Sequence, residues 1–320
     1  MSAAQPLLEQ AWHLREKLGY PQVSEAYRVF HGPGEAQAKS PWSTVAVDRF
    51  ADCYWLTEWR PLPKRELQAL ADFLALKGAR CAVRVDRPHG AEGALPVPFL
   101  GEDPGPLEIR EHLLRFEVRF SKTRHPGLFL DHAPLRRRLA SVRGPAHAAR
   151  VLNCFSYTGS LSAACGIGGA TQVTSLDLSR PALEWAKRNW ALNELPPDGA
   201  RFLADDFFTR VPRLAKAGEK FDVIILDPPS FSRGSETFST SRDLARLHDL
   251  AFQVLAVGGT LITSINSANV DVKTFEREVA RATKRRILQI GSIDLPETFP
   301  SRLGDPQSRY LKGFILYAQD

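Results

Sequence analysis

Val223-Ile-Ile-Leu-Asp-Pro-Pro-Ser-Phe231 decides the fold. Val223–Asp227 is apolar on both faces, which is how a central strand of a parallel sheet reads, and the double proline stops it abruptly. Strand and helix patterns alternate on both sides of it. Upstream lie strand Val151–Asn153, helix Ser160–Cys165, strand Val173–Asp177, helix Pro181–Asn193 and strand Arg201–Ala204. Downstream lie helix Arg242–Val257, which the Gly258-Gly259 pair is expected to end, and strand Thr260–Ser264. Helix Val272–Thr283 and strands Leu288–Ile293 and Tyr310–Ala318 close the chain. The pattern predicts an α/β fold, a doubly wound and mostly parallel sheet of seven strands, with ligands at the carboxyl ends of the strands.

The first third has a different rhythm. Leu7–Leu18 reads as an amphipathic helix, Thr44–Arg49 and Cys53–Glu58 as strands joined at Ala51–Asp52, and Pro63–Leu76 as a helix. Cys81–Val85 is another strand, Asp86–Pro106 reads as a Pro- and Gly-rich loop, and Leu113–Phe120 as a strand. Two domains are expected, a small α+β domain over residues 1–118 and the large sheet over residues 119–320.

Composition narrows the class. A chain of 320 residues, 43% apolar, can bury a core without cross-links. Cys53, Cys81, Cys154 and Cys165 form no CxxC pair and no metal-ligand spacing, so no metal is expected and a reducing cytosol is. No apolar run approaches the ~20 residues that span a bilayer, so no membrane is expected either. The 42 basic and 36 acidic residues leave +6, a bias compatible with a polyanion. Arg136-Arg137-Arg138 and Lys284-Arg285-Arg286 concentrate it, as solvated helix surface or, taken together, as an RNA-sized contact.

The strand ends carry the chemistry. Asn153-Cys-Phe-Ser-Tyr-Thr-Gly159 lacks the GxGxxG pattern that cradles a pyrophosphate, so this aromatic turn suits a ligand without phosphates and weakens a nicotinamide-dependent oxidoreductase reading. Asp177 can accept from both hydroxyls of a ribose, or serve the turn into the next helix beside Ser179. Asp205-Asp206 can accept from an adenine amino group, or be no more than a cap or a solvated turn. Asp227-Pro228-Pro229 with Phe231 offers carbonyls, an acceptor and a flat face, which together can grip a planar ring bearing amino groups.

Asn153–Gly159, Ser179 with Leu183-Glu184-Trp185-Ala186, and Asp227–Phe231 resemble class I S-adenosylmethionine-dependent methyltransferases, and more closely the bacterial 23S rRNA large-subunit enzymes. Gly127-Leu-Phe-Leu-Asp-His132 resembles that group's segment enclosing the cofactor, although His125-Pro126-Gly127 departs from the family's Thr-Gly. Tyr27–Phe30 and Val45–Arg49 resemble the small domain of the N7-guanine enzyme, and Tyr310-Leu-Lys-Gly-Phe314 the C5-cytosine members. The resemblance implies S-adenosylmethionine as cofactor, held by Phe129, Asp131, His132, Asn153, Phe155, Ser156, Tyr157, Thr158, Gly159, Asp177, Leu178, Ser179, Asp205, Asp206 and Asp227. It implies Asp227, Pro228, Pro229, Phe231 and Asn266 around the target base, 23S rRNA or a large-subunit assembly intermediate as partner, a small domain that helps hold RNA, and a cytoplasmic location.

Chemistry separates the branches. Carbon 5 of cytosine is a poor nucleophile, and its methylation requires a cysteine adduct. The stretch matching that cysteine is Thr263-Ser-Ile-Asn-Ser267, and none follows Cys165. Guanine N7 has an exposed lone pair and needs only placement, which Ser264 and Asn266 can help provide unless they merely finish the strand. The expectation is therefore N7 methylation of guanine. Amino-group methylation of adenine or guanine is the nearest rival, and a non-catalytic RNA-binding assembly factor is a rival of another class.

Overall fold

The computed structural model describes residues 4–87, 94–229, 231–233, 237–267, 269–304 and 310–319; at 231–233, 237–238 and 240–241 it describes the backbone alone. By contacts the chain forms two units, Met1–Ala133 with Leu295–Arg309, and Pro134–Asp294 with Tyr310–Asp320. The divide therefore falls fifteen residues later than the 118/119 expected, and the first unit takes back a segment near the C-terminus.

The first unit starts with helix α1 (Ala4–Lys17), strand β1 (Ala26–His31) and the one-turn α2 (Gly32–Glu35). Strands β2 (Val45–Phe50) and β3 (Cys53–Glu58), helix α3 (Lys64–Leu76) and strands β4 (Cys81–Asp86) and β5 (Val97–Leu100) complete a five-stranded sheet in chain order. Strands β6 (Leu107–Glu111) and β7 (Leu114–Val118) form a separate hairpin. Asp86–Pro106 is thus not wholly irregular, since 97–100 pairs with β4, while 88–93 lies outside the described residues. Leu8 and Ala11 of α1, Leu70, Phe73 and Leu74 of α3, and Val45, Val47, Tyr54 and Leu56 of the sheet share one core. Buried Arg15 donates to both carboxylate oxygens of Glu35 and to the Thr298 carbonyl, which pins the returning segment within this unit.

Helix α4 (Ala133–Leu139) leads into the second unit. There follow β8 (Arg150–Cys154), α5 (Ser160–Ile167), β9 (Gln172–Asp177), α6 (Arg180–Leu192), β10 (Ala200–Ala204) and α7 (Phe207–Lys216). The chain continues as β11 (Phe221–Leu226), the short strands β12 (Phe231–Arg233) and β13 (Thr237–Ser239), α8 (Thr240–Val254) and β14 (Leu255–Ile265). Helix α9 (Val272–Arg281), β15 (Ile287–Ser292) and β16 (Lys312–Ala318) end it. The sheet order is β10-β9-β8-β11-β14-β16-β15, with β16 antiparallel to both its neighbours.

Two expectations are corrected. Helix α8 stops at Val254, and Gly258-Gly259 lies inside β14 instead of capping the helix. Opposite β11 the register moves from Phe221↔Leu255 to Val223↔Thr260, and Gly258 at φ 70° lets the strand absorb the extra residues. Strand β11 ends at Leu226, so Asp227 is the first residue beyond it.

Chain order leaves β8 in one direction, through β9 to β10, and β11 in the other, through β14. A crevice at such a reversal, outside the strands' carboxyl ends, is where open α/β sheets bind ligands. The core beneath it joins Leu152, Ile224, Leu226 and Leu261 of the sheet to Phe207, Val211, Leu247 and Ala251 of the helices.

Candidate active site

Register places the site. One row crosses five strands as Leu203–Leu176–Cys154–Leu226–Thr263, and the next step is Ala204, Asp177, Phe155, Asp227 and Ser264. Four of the polar and aromatic positions named from sequence therefore share one carboxyl edge.

The turn after β8 is strained. Phe155 and Tyr157 have positive φ (59° and 48°), a conformation that costs non-glycine residues about 1–3 kcal/mol each. Hydrogen bonds hold it. Ser156 N donates to Leu176 O at 3.1 Å, Tyr157 N to Asp177 Oδ2 at 2.8 Å, and Gly159 N to Ser156 O at 2.8 Å. Asn189 of α6 adds a clamp, its buried Nδ2 donating to Thr158 O at 2.8 Å. Sequence reading missed Asn189, though a polar residue on the face of Ala182, Leu183, Ala186 and Trp190 was a signal. Gly159 has φ 70°, and a Cβ there would meet Ala186 Cβ at 2.7 Å. Gly159→Ala is expected to lower stability by about 1–2 kcal/mol and to loosen the turn. Chemical denaturation with a parallel cofactor titration checks it, and an unchanged midpoint contradicts it.

Asp177 holds the turn. Its Oδ2 accepts from Tyr157 N and its Oδ1 from Ser179 N, both at 2.8 Å, so it is a turn residue; each oxygen keeps a second lone pair for a ligand. Burial raises its carboxyl above the usual range, and the two amides pull it back. Leu178 beside it is exposed, and Ser179 Oγ caps α6 by accepting from Ala182 N.

The acidic pair divides. Asp206 caps α7, accepting from Thr209 N at 3.2 Å. Asp205 accepts from Asp206 N through Oδ1, and its Oδ2 is 2.8 Å from Arg210 Nη2, so a ligand there shares the carboxylate with a cation. Phe155 is half-buried and stacks on Phe207 at 5.2 Å, partly a core residue. Asn153 is interior, with Nδ2 donating to Ser162 Oγ at 2.9 Å. Among the described residues neither Asn153 Oδ1 nor the buried Ser156 Oγ has a partner.

At the other half of the edge, Ser264 Oγ donates to Asp227 Oδ1 at 2.6 Å. Pro228 is buried, Pro229 exposed, and Asn266 exposed just past β14. Ser230 and the Phe231 side chain lie outside the described residues; the Phe231 backbone pairs with Ser239. Behind β14, buried His248 donates from Nδ1 to Leu244 O at 2.7 Å and so accepts at Nε2 from Thr263 Oγ1 at 2.9 Å. Burial pushes its pKa down to about 4, which keeps it neutral in that role. Lys312 Nζ donates to Ser267 O at 2.8 Å, bracing the residue after Asn266. Phe129, Asp131 and His132 belong to the first unit, where the Phe129 ring meets that of His125 at 4.9 Å and His132 Nδ1 is 3.2 Å from Asp131 Oδ1. Among the described residues no group of three or more His, Cys, Asp or Glu could hold a metal, and no helix is long and apolar enough to cross a membrane.

A family model described as S-adenosylmethionine-dependent methyltransferase matches residues 64–312. The chain belongs to that family. This methyltransferase is 32% identical over 324 residues to ribosomal RNA large subunit methyltransferase I of Enterobacter sp. strain 638, covering 96% of this chain and 78% of the relative. It is 33% identical over 322 residues to the protein of that name from Cronobacter sakazakii, covering 97% and 79%. Among solved structures, SMU.776, crystallised as a complex with SAH, aligns with a TM-score of 0.86 at 25% identity over 98% of this chain and 80% of that one. The methyltransferase thus has the class I fold, its cofactor is S-adenosylmethionine, and it groups with the large-subunit rRNA enzymes. The residues fit that cofactor, because a carboxylate ends β9 and the partnerless Ser156 hydroxyl lies in the turn beside it.

Proposed function

We propose that this methyltransferase acts on a base of large-subunit rRNA, free or in an assembling particle, and that the accepting atom is guanine N7, reached without a covalent adduct to the enzyme. The placement of the four cysteines carries the reading. Cys53 and Cys81 open β3 and β4 and are buried in that ladder. Cys154 ends β8 and Cys165 lies in α5; both are fully buried, and burial pushes both thiols up, away from the thiolate that adds to a pyrimidine ring. At the edge where such a thiolate is needed stand Asp227, Ser264 and Asn266. N7 carries no proton at neutral pH, so it requires orientation and no base. The relatives share the name methyltransferase I and lend no support to the N7 branch, which therefore stands on this chemistry.

In this reading Asp177 accepts from the ribose of the cofactor, Leu178 and Asp205 border its adenine, and the turn Phe155 to Gly159 lines its methionine end, with Asn153 and Ser179 supporting the turn. S-adenosylmethionine supplies an electrophilic methyl group. The protein's part is to hold the base, with Asp227 and Asn266 at its polar edge, Pro228 and Pro229 fixing the turn, and Phe231 supplying the stacking face.

A variant with all four cysteines replaced by Ala is expected to keep methylating rRNA at close to the parent rate per folded molecule, with some stability lost from Cys154 and Cys165. Tritium transfer to a 23S transcript, normalised to cofactor-binding sites, measures this. An inactive but folded variant points to a thiol mechanism, and so to cytosine C5.

A further inference from the structure

A basic run that the site does not use covers the exposed side of helix α9 and continues past its end. Residues 272–286 hold six basic and two acidic side chains, +4 of the protein's formal +6. Along α9, Phe275, Val279 and Ala282 face the core and are buried. Lys273, Arg277 and Arg281 recur every fourth residue on the opposite, solvent-facing ridge, and exposed Lys284 and Arg286 extend the run past the helix end. Arg285 is drawn inward, donating to the Leu255 and Ala256 carbonyls. Of the carboxylates, Glu276 flanks the ridge, and Glu278 lies 3.4 Å from both Arg277 and Arg281. Asp271 is engaged in capping the helix. The Arg277 and Arg281 side chains are 63% and 69% exposed, so these pairs are worth little and exchange readily for another anion.

We propose that this ridge is a docking surface for the phosphate backbone of the RNA substrate, resting on the rRNA reading above. From Lys273 to Arg281 it runs about 12 Å, at ~1.5 Å per residue. The arginines present forks that match phosphate oxygens in pairs, and the absence of aromatics among the ridge residues fits backbone contact rather than base reading. Its contribution is sequence-independent, bringing RNA to the enzyme and leaving the transfer step alone. Because each neutralised phosphate releases counterions, it carries a definite signature in salt.

The test is Lys273→Gln, Arg277→Gln, Arg281→Gln and Lys284→Gln in one chain, changes that suit a helix surface. Binding of a bacterial 23S rRNA transcript is measured by fluorescence anisotropy across a KCl series, beside kcat and KM for that RNA and calorimetry with S-adenosylmethionine. RNA affinity near 0.15 M salt is expected to fall on the order of tenfold to a hundredfold, and the slope of log affinity against log salt to flatten by about 2–3. KM rises with that loss, while kcat at saturating RNA and cofactor affinity stay at the parent values. Arg277→Lys with Arg281→Lys keeps the parental slope. A folded quadruple variant with unchanged RNA affinity and slope overturns the proposal. So does a loss confined to anionic phosphatidylglycerol vesicles. If the parent binds the transcript with the steep slope and the variant flattens it, yet no methyl is transferred, the surface stands and the rRNA methylation reading falls.

Discussion

Asp177→Ala is expected to weaken S-adenosylmethionine binding by about two orders of magnitude. Two losses combine. The proposed acceptor for the ribose hydroxyls disappears, which costs on the order of 1–3 kcal/mol when a buried polar contact is removed. Tyr157 N and Ser179 N also lose their acceptor. The first of these bonds ties the strained turn at Phe155 and Tyr157 to β9, so a looser turn offers the ligand a less organised site. Asp177→Asn keeps one carbonyl acceptor and should lose less. Calorimetry on folded protein measures both, and an unchanged affinity for the Ala variant removes Asp177 from the cofactor site.

Asp227→Ala should act on the other side of the transfer, lowering kcat by about a hundredfold while cofactor affinity falls less. The carboxylate stands one residue beyond the central strand and is fixed by Ser264 at 2.6 Å, so it is positioned before any substrate arrives. A misplacement of about 1 Å at a reacting centre can cost ~100-fold in rate. Ser264→Ala, which leaves the carboxylate but removes its tether, should cost roughly tenfold by the same argument. Single-turnover transfer to rRNA with saturating cofactor separates the two steps. A loss seen only in cofactor affinity makes Asp227 a cofactor ligand and no part of the base site.

The central sheet was legible because its strands are plain. Val223 to Leu226 is continuously apolar, and Asp227 stands where that run stops. Helix α7 was not read because Pro212 interrupts the run of Phe207, Phe208, Val211 and Leu214; Asp206 as its cap was the available signal. Strand β1 was missed because Ala26–His31 is buried on both faces with charged Arg28 inside it, and that charge is met by Asp48 across the ladder at 2.7 Å. Gly258-Gly259 misled because a glycine pair ends helices more often than it bulges a strand. Within the site, residue types were readable and partners were not. Asp205 gave no sign of Arg210 because their contact is made across the start of helix α7, which was not read, and Ser264 gave none of Asp227 because β11 and β14 meet only in the folded sheet. His248 beneath Thr263 has no sequence signature beyond being polar among Leu244, Leu247 and Ala251.

The identity of the methylated nucleoside decides between guanine N7 and the other acceptor atoms. A 23S rRNA transcript methylated by the cysteine-free variant is to be digested for nucleoside mass spectrometry and, in parallel, treated with borohydride and aniline. The expected product is N7-methylguanosine, whose fixed positive charge makes the treated chain break at the modified residue. Methylated cytosine in a chain that resists cleavage, formed by the parent enzyme and not by the cysteine-free variant, would contradict it.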